Sequence, residues 1–63
     1  MMDNHLYNLI LQLTQENKSL WRILHHYKQD AGNCEACGAF WDKMEKDKEN
    51  HARDLNDLIK KHI

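Results

Sequence analysis

Two groups of residues in this sequence could do chemistry. The first is Cys34-x-x-Cys37, the chain's two cysteines, at the head of the stretch Asn33 to His51, NCEACGAFWDKMEKDKENH. A thiolate is a nucleophile and a soft metal ligand, so this spacing suits a redox pair or two ligands of a zinc ion. Zinc takes four ligands, and His25 and His26, or the cysteines of a second chain, could complete the set. The third reading is a pair of small residues filling space near a turn. No βαβ pattern surrounds the motif, which excludes a thioredoxin-type enzyme. The second group lies mid-chain: Glu16 and Asn17 in one half, Asp47, Lys48 and His51 in the other.

Both groups must be carried by helices. Leu6, Leu9, Ile10, Leu13, Leu20, Ile23, Leu24 and Tyr27 recur at three- and four-residue steps, the period of an amphipathic helix. Asp3 or Asn4 can cap it, and it is predicted to run from about residue 4 to residue 30. Ala31-Gly32-Asn33 is the turn signal, with Gly32 in a left-handed position after the helix end and Asn33 as the N-cap of the next helix. That second helix is predicted from Cys34 to about Lys61, with the stripe Cys37, Phe40, Trp41, Met44, Leu55, Leu58 and Ile59. The chain contains no proline to break either helix. The expected fold is all-α: one domain over residues 1–63, a two-helix antiparallel hairpin that dimerises into a four-helix bundle.

Each apolar stripe has a polar gap, and folding the chain at Gly32 makes the gaps coincide. Asn17 then faces Asp47, Glu16 faces Lys48 and Leu13 faces His51. Glu45 with Glu49 and Lys43 with Asp47 lie on the exposed sides. A buried polar layer is either a hydrogen-bonded device that sets register or a metal site.

The run Gln15-Glu16-Asn17, then Leu20-Trp21 and Tyr27, followed by Asp47-Lys48-Glu49-Asn50-His51-Ala52, Leu55 and Leu58-Ile59, resembles a half-length ferritin-like or rubrerythrin-like helical hairpin of the encapsulated-ferritin type. The resemblance covers most of the chain and rests on short motifs. It implies an iron site between two hairpins, with Glu16, Asp47 and His51 as ligands. The sequence departs from the family at Lys48, where the family has its inward glutamate.

Length and composition bound the remaining possibilities. A chain of 63 residues buries little core alone and calls for a metal, a disulfide or a second subunit. The expected interface comprises Leu13, Leu20, Trp21, Leu24, Phe40, Trp41, Met44 and Leu55. Net charge is -1 with both signs interleaved, which argues against a nucleic-acid surface. No run is long and apolar enough for a membrane span, and the N-terminal stretch lacks the pattern of a secretory signal, so a cytoplasmic location is expected. His5 and His62 lie near opposite chain ends that a hairpin brings together; they could pair on a metal, but solvated surface residues are the favoured reading. No phosphate loop, nucleophile elbow or catalytic carboxylate pair is present. A self-associating, iron- or zinc-binding hairpin is therefore expected ahead of an enzyme. A structural or regulatory interaction module is the metal-free alternative.

Overall fold

Asp3 begins the first helix. Its Oδ1 accepts the backbone N–H of His5 at 2.9 Å, satisfying one of the donors that a helix start leaves open. The computed structural model describes residues 3–63. Helix α1 (Asn4–Arg22) continues without a break into a π-helical turn, Ile23–Tyr27, and then into α2 (Lys28–Ala31). In the π turn the N–H of Lys28 bonds the carbonyl of Ile23, five residues back instead of four. One extra residue is thereby accommodated in the rod. Residues beyond it are rotated relative to a regular helix, and Lys28 is turned toward the opposite helix. The regular period expected through residue 30 does not anticipate this step.

Gly32 closes the rod with φ 57° and ψ -122°. The sequence reading placed it in the left-handed helical region. The observed ψ is instead that of the first central residue of a type II′ turn, and φ is still positive, as glycine allows. The N–H of Cys34 bonds the carbonyl of Ala31 at 3.1 Å across that turn. This geometry also moves the cap. Asn33 is consumed as the second central residue of the turn. Cys34 caps the next helix instead, its Sγ accepting the N–H of Cys37 at 3.2 Å. Helix α3 (Glu35–Lys61) therefore starts one residue later than predicted. Lys60 and Lys61 in its last turn complement the helix dipole.

The two rods lie antiparallel. The seam of α3 runs through Gly38, Trp41, Glu45, Lys48, Ala52, Leu55 and Ile59, steps of three and four residues that face α1. Among the described residues only Ile23 (1% exposed) and Ile59 (9%) are buried apolar side chains. Leu13, Leu20, Trp41, Met44 and Leu55 are half-buried. Cys37 and Phe40, expected in the α3 stripe, are exposed instead, because Gly38 and Trp41 take the inward positions beside them. Trp21 and Phe40 are each 53% exposed, and Leu24 is exposed as well. Trp41 sits between aromatic neighbours, with ring centroids 4.9 Å from Tyr27 and 5.1 Å from Phe40. At the far end the hairpin brings the chain ends together: His5 meets His62 edge-on, 4.9 Å apart, and both remain exposed.

The molecule measures 48 × 16 × 12 Å with a radius of gyration of 14.4 Å. A compact domain of this length has a radius near ~10.6 Å. Its accessible surface of 4922 Å² exceeds the ~4,300 Å² typical of a folded monomer of this mass. No described helix is long and apolar enough to cross a membrane.

The two glycines should respond oppositely to alanine. A Cβ at either meets nothing within 4 Å, but only Gly32 has positive φ. Gly32→Ala is expected to cost ~1–3 kcal/mol through backbone strain alone. Gly38→Ala, inside α3, should gain ~0.5–1 kcal/mol. Thermal denaturation of both variants checks this, and equal effects would contradict the turn geometry.

Candidate functional site

The spacing of α1 puts Glu16 on the line that also buries Ile23, one step of seven residues away, so its carboxylate enters the seam. It is 6% exposed. A carboxylate there must find partners or lose its charge. Three side chains converge on it. Gln12, one turn earlier, donates from Nε2 to Oε1 at 3.3 Å. His51 on α3 places Nδ1 3.1 Å from the same oxygen, a hydrogen bond in the tautomer that carries its proton on Nδ1. Lys48 sets Nζ 2.9 Å from Oε2. That contact is an ion pair, and it neutralises Oε2.

Burial pushes the Glu16 carboxyl up. Lys48, Gln12 and His51 together outweigh it and hold the group below the ordinary carboxylate value. Glu16 is therefore an anion at neutral pH, and Lys48 is its principal counter-charge. Lys48 occupies the position where a ferritin-like ligand was expected to be missing.

The layer differs from the expected one. Asn17 and Asp47 are both exposed. Each is the chain neighbour of an inward residue, Glu16 or Lys48, and successive helical residues point about 100° apart. In these two pairs Glu16 and Lys48 are the inward members, and their neighbours Asn17 and Asp47 turn out to solvent. Asp47 thus does not complete a three-ligand group with Glu16 and His51.

A second ionic group lies nearer the hairpin tip. Lys28 Nζ is 2.9 Å from Asp42 Oδ1 and also pairs with Glu45. Glu45 and then Asp42 push the Lys28 amine above its ordinary value, and Lys28 holds the Glu45 carboxyl below its own. Sequence reasoning missed this group and placed Glu45 on an exposed side. No regular helical period turns Lys28 inward, and the π turn does.

The thiols lie at the tip, both exposed. Hydrogen bonding from Cys37, side chain first and then backbone, draws the Cys34 thiol down, and the same coupling pushes the Cys37 thiol up. His25 and His26 do not join them. His25 stacks on Trp21 with ring centroids 4.4 Å apart, and its Nδ1 lies 2.9 Å from the Trp21 carbonyl. His26 meets the same indole edge-on at 5.2 Å. Among the described residues no group of three or more His, Cys, Asp or Glu side chains is placed to hold a metal ion. Within one chain, the candidate iron set is reduced to Glu16 and His51, and the candidate zinc set to Cys34 and Cys37.

Beside the layer, Gln12, Glu16, His51, Asp54, Leu55 and Leu58 line an open cleft of about 250 Å³.

Two outcomes follow from the layer. Lys48→Met leaves a buried carboxylate without its main counter-charge and should destabilise by ~2–4 kcal/mol, less than a fully buried pair because Lys48 is partly exposed. The pH dependence has a definite sign. The folded value of Glu16 lies below its unfolded value, so the stabilisation is fully present above the unfolded carboxylate value. It is lost as pH falls through the folded one. Denaturation curves collected from neutral to acid pH should show this fall in wild type and a flatter profile in Glu16→Gln. An unchanged slope would contradict the assignment.

Comparison with protein-family models, with curated proteins and with solved structures gives no match. The function is therefore read from the geometry above.

Proposed function

We propose that two copies of this hairpin associate into a four-helix bundle, and that the chain works as a self-assembling interaction module. One observation carries the reading: the hairpin buries only Ile23 and Ile59 among its described apolar side chains, while Tyr7, Leu11, Trp21, Leu24, Phe40 and Leu58 stay exposed. Two helices with so small a core are marginal in water. A second copy of the same chain offers the same uncovered residues, and a two-fold axis makes such a surface complementary to itself. A stable dimer buries ~800 Å² per partner, comparable in scale to the excess accessible surface of this elongated chain. In the bundle the Glu16–Lys48–His51 layer is doubled. Its role is register, since a slipped pairing would bury Glu16 without Lys48.

A second reading is favoured by a single contact, the 3.1 Å approach of His51 to Glu16. Doubling the layer gives two inward carboxylates and two imidazoles, a donor set suited to iron, as the ferritin-like resemblance implies. Lys48 would have to give up its place at Oε2. Iron titration of the dimer separates the readings. Uptake lost in both Glu16→Ala and His51→Leu supports the iron site, and no uptake in wild type leaves the register role alone.

Assembly itself has a direct consequence. Leu24 is exposed in the hairpin, so Leu24→Ala in a monomer should change stability by no more than about 0.5 kcal/mol. Covered in a bundle, the same change should cost ~2–5 kcal/mol. The melting temperature should also rise with protein concentration. Sedimentation showing a stable monomer, with a melting temperature independent of concentration, would contradict the proposal.

A further inference from the structure

We infer that Cys34 and Cys37 form a redox-active dithiol at the hairpin tip that exchanges with low-molecular-weight disulfides, Cys34 attacking and Cys37 resolving. The inference stands on the tip of a single chain and not on the bundle.

Three observations support it. Both thiols are exposed, and no other His, Cys, Asp or Glu joins them in a group of three among the described residues. The two sulfurs differ in setting. Cys34 Sγ is the N-cap of a 27-residue helix and accepts the Cys37 N–H at 3.2 Å. A backbone N–H directed at sulfur stabilises the thiolate, which is the nucleophilic form. Cys37 lies inside the first turn, and its thiol is pushed up by its neighbour. It is therefore the later of the two thiols to ionise. Finally, the approach is open. Gly32, Asn33, Cys34, Glu35 and Gly38 line a space of about 440 Å³ beside Cys34. At either glycine even an added Cβ would meet nothing within 4 Å. The space is open to solvent, so a small disulfide of the glutathione type can reach Cys34 Sγ.

The exchange balances in two steps. The Cys34 thiolate attacks one sulfur of the substrate disulfide. A Cys34–substrate bond forms, the substrate S–S bond breaks, and one thiolate leaves and takes up a proton. Cys37 then loses its proton to solvent and attacks Cys34 Sγ. The Cys34–Cys37 bond forms and the second substrate thiolate leaves. The protein dithiol is oxidised by two electrons and one disulfide is reduced to two thiols.

The test treats the reduced full chain with oxidised glutathione at neutral pH and follows it by mass. Wild type should end as the internal disulfide with no glutathione attached. Cys37→Ser should stop at a mixed disulfide on Cys34. Cys34→Ser should react at least about tenfold more slowly than Cys37→Ser. Both substitutions are at exposed positions, and serine is itself a favoured N-cap, so helicity by circular dichroism should persist and the rates can be compared. Equal rates for the two variants, or a wild type carrying two attached glutathiones without closure, would overturn the inference. So would protection of both thiols by added zinc, which would make the pair a metal site.

Discussion

A carboxylate sits where a leucine would normally be. Glu16 occupies an inward position on α1 and is held there as an anion by Lys48, with His51 and Gln12 on its other oxygen. An uncompensated charge in that setting is among the costliest defects a small fold can carry. Only one rotation and one register of α3 bring Lys48 and His51 to it. That same arrangement buries Ile23 on the tip side and Ile59 toward the chain ends. Apolar contacts are non-directional and specify a register only weakly. The ion pair supplies the direction, and the isoleucines supply the burial.

The tip carries a second constraint with a different origin. The π turn rotates Lys28 into reach of Asp42 and Glu45, so a further cross-helix ion pair forms between the layer and the hairpin turn. Beyond it, Gly32 reverses the chain in a conformation that other residues rarely adopt, and Cys34 opens α3. The thiols stand beside this turn, exposed because Gly38 and Trp41 take the inward positions at the start of α3.

Much of this was legible in the residues. The three- and four-residue apolar steps specify two helices, Gly32 specifies the reversal, and coincident gaps in the stripes bring Glu16 to Lys48. The finer features were not, each for a definite reason. Asn17 and Asp47 are neighbours of inward residues, and a coarse facing rule cannot tell which neighbour turns in. Phe40 looks like core by type, but Trp41 beside it holds the seam position. Lys28 is inward only because of a π turn, and no side chain near Ile23 announces one. Cys34 displaces Asn33 as cap because the turn consumes Asn33, a matter of backbone dihedrals and not of residue preference. The iron and zinc sets were assembled from residue types whose side chains, once placed, have other partners: Lys48 for Glu16, and Trp21 for His25 and His26.

The central claim is that Glu16 and Lys48 are energetically coupled across the two helices and thereby set the register. A double-mutant cycle tests it most directly. Wild type, Glu16→Leu, Lys48→Met and the double variant would be denatured chemically at one fixed protein concentration. The account predicts that the double variant loses much less than the two single losses combined, with a coupling energy of about 1.5 kcal/mol or more. Losses that add to within about 0.5 kcal/mol would contradict it, and would show that the register is held by something other than this buried pair.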